Sequence, residues 1–199
     1  LAEDYYGNGD RAGRLARVNR KRGLPLTPGA RVFVPRDAEE RRRFEERALA
    51  RAPYNKGLEF ARAGRFPEAV LQFREALRID PGLDRAHYNL GLVYLRGSRP
   101  AQALESLSRA CELERREPAY FHARGGALAE LGRRKDAEKS YRRALKIDES
   151  HLPSLHALAR SLDARGRERE ARRYWSRYLR LDPGSSRGEE AARRLGASP

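Results

Sequence analysis

Residues recur along this chain at a step of 34, and that period limits the possible fold more than any other feature. Ala69, Ala103, Ala137 and Ala171 stand in one column, and Gly57, Gly91 and Gly125, followed by Ala159, stand in another. Phe60, Tyr94, Leu128 and Leu162 keep the step, as do Phe73, Leu107, Tyr141 and Trp175, and then Ala76, Ala110, Ala144 and Tyr178. Each unit closes on a related phrase: LRIDPG, CELERR, LKIDES and LRLDPG. Columns in register over four units exclude coincidence. They require a stack of one supersecondary unit, each copy burying its apolar face against its neighbours. A composition of 39% hydrophobic and 36% charged residues is compatible with disorder when taken alone. Once the period is seen, it is the composition of thin layers that each expose much surface.

The physics of one unit accounts for its columns. In the first, a helix is expected over 54–63, a turn at Gly64-Arg65 and a second helix over 67–79. Small residues at Gly57 and Ala69 let two helix backbones approach closely, and Phe60 and Phe73 fill the space between them. Gly64, Gly132 and Gly166 suit a left-handed helix end, with Ser98 as the exception. Pro81 and Pro183 end the second helices of their units.

A 34-residue helix-turn-helix unit with these small and aromatic columns resembles the tetratricopeptide repeat. The resemblance implies an all-α solenoid of four repeats, at 50–83, 84–117, 118–151 and 152–185. Arg115 and Glu149 replace the closing proline, and Ala159 and Tyr178 depart from the small-residue columns of the last unit. Tyr178 points to an interface altered to receive a terminal helix, expected within a cap and tail at 186–199.

The resemblance also implies a protein or peptide partner held along an inner face made by the first helix of each repeat. On that reading the groove residues are Tyr54, Asn55, Leu58 and Arg62, then Arg85, Tyr88, Asn89, Leu92 and Arg96, then His122 with Gly126, and His156 with Arg160. A surface both aromatic and cationic suits an acidic segment through charge-assisted hydrogen bonds. Two readings stand for Tyr54 and Tyr88, packing between helices or touching a ligand. Asn89 likewise bonds either a backbone or a ligand. The carboxylate clamp of chaperone-binding family members is not expected, since only Asn89 falls on a matching column and Leu58, Ala119 and Ala123 occupy others.

The opening 36 residues follow another pattern. LAEDYYGNG leads into a helical stretch, DRAGRLARVNR, then a loop with Pro25, Pro28 and Gly29, then a short strand at 31–34. With Tyr5-Tyr6-Gly7, Leu15-Ala16, Asn19 and Val32 to Pro35 in that order, this segment resembles the later part of a lysin motif (LysM), a βααβ module. The resemblance implies binding of peptidoglycan or another N-acetylglucosamine glycan by the full-length protein, with Pro25, Leu26 and Thr27 as contacts. The first strand and loop of such a module would lie upstream. The chain contains no methionine and opens mid-pattern, so an upstream segment is expected. Residues 37–49, dense in charge, read as a linking helix that caps the first repeat through Phe44.

Little else in the chain carries chemistry. The single cysteine, Cys111, excludes an internal disulfide and reads as a small buried hydrophobe. No apolar run approaches the ~20 residues of a membrane span. Four scattered histidines and the absence of Cys-x-x-Cys, His-Glu-x-x-His, calcium-loop or phosphate-loop patterns argue against a metal, a cofactor or catalysis. The net charge of +15, mostly arginine, attracts anions of any kind. Acidic residues are nevertheless interleaved through the same helices, and no groove-reading or base-stacking module is present, so specific nucleic-acid recognition is not expected. The expectation is a non-enzymatic interaction scaffold of the bacterial cell envelope or periplasm, recruiting a secretion, pilus or wall-remodelling partner. The alternatives are a cytoplasmic or complex-assembly adaptor with a vestigial LysM module, and a non-catalytic regulatory part of a cell-wall hydrolase.

Overall fold

The computed structural model describes residues 37–196. All regular structure among them is helical: α1 (Ala38–Arg62), α2 (Phe66–Ile79), α3 (Asp84–Arg96), α4 (Pro100–Leu113), α5 (Pro118–Glu130), α6 (Arg134–Ile147), α7 (Leu152–Asp163), α8 (Glu168–Leu181) and α9 (Ser186–Leu195). Eight of these pair into four antiparallel hairpins, and α9 packs on α8. The described residues thus form an all-helical solenoid, the architecture that the tetratricopeptide resemblance implies. The LysM-like segment at 1–36, with Pro25, Leu26 and Thr27, lies outside the described residues.

Each hairpin closes in the same way. Gly64, Gly132 and Gly166 adopt φ of 74°, 74° and 69°, and Ser98 takes the same left-handed conformation at 55°. The following amide then reaches back five residues: Arg65 to the Phe60 carbonyl at 2.9 Å, Arg99 to Tyr94 at 2.8 Å, Arg133 to Leu128 at 2.9 Å and Arg167 to Leu162 at 2.9 Å. This bond satisfies a carbonyl that the helix end leaves unpaired. Ser98 therefore makes the turn without glycine's freedom, at a modest conformational cost.

The glycine column marks where the two helices of a hairpin touch. A Cβ on Gly57 would come within 2.7 Å of the Phe73 ring, and one on Gly91 within 2.5 Å of Leu107 Cγ. Gly125 meets the Tyr141 ring in the same manner. The fully buried alanines Ala69, Ala103, Ala137 and Ala171 supply the small residue from the second helix. Cys111 is buried with Ala110, Tyr120, Phe121 and Ala144, and burial pushes its thiol up to about 11, so it is an inert packing group at neutral pH.

One feature differs from the sequence expectation and a second had no place in it. The linking helix at 37–49 and the first helix of repeat one are a single helix, α1, with Pro53 inside it. Pro53 removes one backbone donor, yet the helix-forming run Ala48-Leu49-Ala50-Arg51-Ala52 carries the helix through. The Arg42–Glu46 ion pair at 2.8 Å and the Arg43–Glu39 pair, both one turn apart, support its exposed start. Within repeat three, Glu138 occupies the column of Val70 and Leu104 but is 1% exposed. Arg165 Nη1 lies 2.7 Å from its Oε1, while Arg142 and Arg167 each lie 3.4 Å from Oε2. The carboxylate pins the α7–α8 turn to α6.

At the far end Tyr178, 2% exposed, shares a core cluster with Ala191 of α9. The Ser185 hydroxyl accepts the Gly188 N–H at 3.0 Å and caps α9, and Gly196 ends it at φ 81°.

Candidate peptide-binding groove

Beyond successive helices, the contacts that stand out join α1 to α3 and α3 to α5, all first helices of their repeats. First helices therefore line the inner side of the curve. Their facing side chains come from one position of the period, 34 residues apart: Tyr54, Tyr88, His122, His156 and, on α9, Glu190.

Every member of this column is tied across a repeat boundary or into the hairpin behind it. The Asn89 amide donates to Tyr54 Oη at 3.0 Å and to the Arg85 carbonyl at 2.9 Å, so both its protons are used within the protein. Asn89, the one side chain on a clamp column, thus bridges repeats one and two through its amide. The Tyr54 ring lies 5.9 Å from Phe73, and Tyr88 stacks on Tyr120 at 4.7 Å. Tyr120 in turn donates to Asp84 Oδ2 at 2.6 Å. Both column tyrosines are half-buried, so each packs between helices and still presents an edge to the groove.

The remaining groove residues divide between the two ends of the face. In repeats one and two, Arg62, Arg85 and Arg96 are exposed and their guanidiniums make no hydrogen bond or ion pair among the described residues. Leu58 and Leu92 are half-exposed beside them, and Asn55 is exposed. In repeat three, His122 is packed against Tyr141 and His151, both at 5.6 Å, and its Nδ1 is 3.3 Å from Ser154 Oγ. Burial, aided by the charges of His151, Arg187 and His156, holds its imidazole at about 4. Next to it Gly126 faces open space, in contrast to Gly125. In repeat four, His156 Nε2 sits 2.8 Å from Glu190 Oε2, and Arg160 Nε lies 3.9 Å from Glu190 Oε1. The His156 ring is wedged edge-on against Trp175 at 5.4 Å and near Tyr178 at 5.8 Å.

The predicted residues therefore share one face but not one state. Tyr54, Leu58, Arg62, Arg85, Tyr88, Leu92 and Arg96 form an open cationic and apolar strip. His122, His156 and Arg160 are engaged by the protein itself. Sequence reasoning missed Glu190 and Arg187, although both continue the period, 34 residues after His156 and Pro153. Among the described residues no group of three or more His, Cys, Asp or Glu side chains is placed to hold a metal ion. No helix among them is long and apolar enough to cross a membrane.

Comparison with known proteins agrees with this geometry. A sequence model of the TPR repeat matches residues 57–97, and one of the tetratricopeptide repeat matches 88–151. The chain carries tetratricopeptide repeats. No curated protein matches the sequence. Among solved structures, MamA 41-end from Desulfovibrio magneticus RS-1 is 18% identical with a TM-score of 0.64, covering 69% of this chain and 77% of that one. YrrB, a TPR protein with an unusual peptide-binding site, is 21% identical with a TM-score of 0.63, covering 72% and 73%. The first TPR domain of Spaghetti (RPAP3), bound to the HSP90 peptide SRMEEVD, is 23% identical with a TM-score of 0.57, covering 59% and 93%. At these identities the likeness is one of fold.

Proposed function

We propose that this chain is a non-enzymatic protein–protein interaction scaffold whose concave face holds an acidic segment of a partner protein. One observation carries the reading: three exposed guanidiniums on the inner face, those of Arg62, Arg85 and Arg96, have no hydrogen-bond or ion-pair partner among the described residues, in a chain that pairs many of its other arginines. Set beside Leu58, Leu92 and the edges of Tyr54 and Tyr88, they offer charge-assisted hydrogen bonds around an apolar strip. Peptide binding by structural neighbours, YrrB and the Spaghetti domain, supports the mode. The consumed Asn89 amide argues against a terminal-carboxylate clamp, so the acidic side chains of an internal segment are the fitting chemistry.

Selection of random peptides on the full chain tests this. Binders enriched in Asp and Glu that lose affinity for the Arg62→Glu/Arg85→Glu/Arg96→Glu variant are expected. Binders without acidic character, or unaffected by the triple reversal, overturn it.

The LysM-like words at 1–36 favour an envelope address, where a glycan-held scaffold recruits a secretion, pilus or wall-remodelling partner. A pulldown on insoluble peptidoglycan, with and without residues 1–36 and at low and high salt, tests that address. Salt-resistant binding that needs residues 1–36 is expected. Salt-sensitive binding by both forms leaves an adaptor acting elsewhere, since a basic chain adheres to anionic wall by long-range attraction alone.

A further inference from the structure

The molecule carries a second site of opposite charge on the edge where the inter-repeat loops lie. The start of α1, the α2–α3 loop and the end of α4 enclose a pocket of about 470 Å³. Four carboxylates line it, Glu46, Asp80, Asp84 and Glu114, against the two guanidiniums of Arg43 and Arg47. In a chain of net charge +15 this is a local reversal of sign.

Three of those carboxylates already have partners. Glu46 pairs with Arg42 at 2.8 Å, Asp84 accepts from Tyr120 at 2.6 Å, and Glu114 accepts the Arg116 N–H at 2.8 Å. Asp80 is different. It is 8% exposed; its Oδ1 accepts the Gly82 N–H at 3.0 Å, while its Oδ2 is buried with no hydrogen bond among the described residues. Arg47 Nε lies 3.5 Å from that oxygen, within ion-pair range but without hydrogen-bond geometry, on a side chain that is 68% exposed. A buried carboxylate oxygen left without a donor costs free energy comparable to a lost hydrogen bond, more because it is charged. The equivalent aspartates of later repeats show no such orphan: Asp148 Oδ1 accepts from both the amide and the hydroxyl of Ser150, and Asp182 Oδ2 accepts from Tyr178.

We propose that this pocket receives a lysine or arginine side chain from a basic segment of a partner polypeptide, whose cation takes the Asp80 Oδ2 position that Arg47 half-fills. The aliphatic stem of such a side chain lies along Leu113, 37% exposed at the rim, and Pro81. Arg47 is then a tethered competitor that swings outward when the partner's cation arrives. With the concave face taking an acidic segment, the scaffold would read two signs of charge on two surfaces. None of the concave-face residues lines this pocket, and the two sites touch only through Asp84, whose partner Tyr120 stacks on Tyr88.

The test titrates N-acetyl-arginine amide and N-acetyl-lysine amide, with N-acetyl-citrulline amide as the neutral control, into the full chain. The amide resonance of Gly82, bonded to Asp80, reports occupancy. A saturable shift with one or both cations and none with the control is expected, and the relative affinities identify the preferred side chain. Arg47→Ala should bind several-fold more tightly. Asp80→Asn, which keeps the acceptor for Gly82, should bind at least about tenfold more weakly, the loss that accompanies removal of a hydrogen bond to a charged group. Thermal melts check that both variants fold. Absence of a saturable shift in Arg47→Ala, or undiminished binding by Asp80→Asn, overturns the proposal.

Discussion

Along the concave face the first two repeats present Tyr54, Leu58, Arg62, Arg85, Tyr88, Leu92 and Arg96, and the last two present His122, Gly126, His156 and Arg160. Tyr54, Tyr88, His122 and His156 share one position of the period and Leu58, Leu92, Gly126 and Arg160 another, but Arg62, Arg85 and Arg96 stand at positions where the last two repeats carry no arginine. Arg62, Arg85 and Arg96 are exposed and make no hydrogen bond or ion pair among the described residues, whereas Arg160 and His156 face Glu190, delivered by a helix that follows the last repeat. Behind the face the contrast continues. Repeats one and two place Val70 and Leu104, packed against the core, one residue after the small alanine of the second helix, and repeat three places Glu138 there within a cluster of three arginines. The lesson is that a repeat column fixes where a side chain points, while its neighbours from outside the column decide whether it is free to bind.

Substitutions that separate the two halves sharpen this contrast. The largest effect is expected from Glu138→Ala. It leaves Arg142, Arg165 and Arg167 facing one another around a buried site, and should cost about 2–3 kcal/mol, discounted because those arginines are partly exposed and can turn outward. Urea unfolding measures it, and peptide binding at repeats one and two should survive below the transition. An effect under about 0.5 kcal/mol, the level of an ordinary surface change, would mean the network is no anchor.

The next pair probes two neighbouring glycines of α5. Gly125→Ala drives a methyl into the Tyr141 ring and should destabilise by about 1–3 kcal/mol. Gly126→Ala meets open space and should stabilise by up to about 1 kcal/mol through helix propensity. Equal effects at the two positions would contradict the packing described for repeat three.

A gradual effect comes from pH. His122 is held at about 4 against its ordinary 6.5, and burial also lowers His151. Between those values the unfolded chain takes up protons that the folded chain refuses. Stability from the neutral histidines is thus fully present above about pH 6.5 and declines as pH falls toward 4. Melting temperatures recorded from pH 7 to pH 4 should show this slope, and His122→Gln should flatten it. A slope unchanged by His122→Gln would place its source elsewhere.

The smallest stability change is expected for Glu190→Gln, less than about 1 kcal/mol, because the partners are partly exposed and the amide still bonds His156. Its interest lies in binding: it removes the charge that pairs with Arg160, so an acidic peptide should then extend its contacts into repeat four.

Much of this was legible in the sequence because repeat interfaces repeat. Gly57, Gly91 and Gly125 announce the close helix contacts, and Phe73, Leu107, Tyr141 and Trp175 announce what fills them. Ser98 was visible as the odd turn, and its left-handed backbone follows from the hairpin geometry that the other three turns share. The groove arginines were visible for the same reason. What stayed hidden depends on contacts outside the period. Glu190 and Arg187 keep the 34-residue step, but α9 has Arg193 where the glycine column would continue, so the period reads as ended before it. The burial of Glu138 depends on Arg165 and Arg167, almost a full repeat later in the chain. The orphan oxygen of Asp80 depends on α1 running upstream through Pro53, where local sequence reads as a helix start.

The central claim, that the open half of the concave face is the binding surface, is tested most directly by mapping backbone amide shifts while an acidic peptide chosen by selection is titrated into the full chain. The account predicts shifts concentrated on the inner faces of α1 and α3 around Arg62, Arg85 and Arg96, fading before α7, and abolished by reversing those three charges. Shifts centred on α7 and α9, or a map unchanged by the triple reversal, would contradict it.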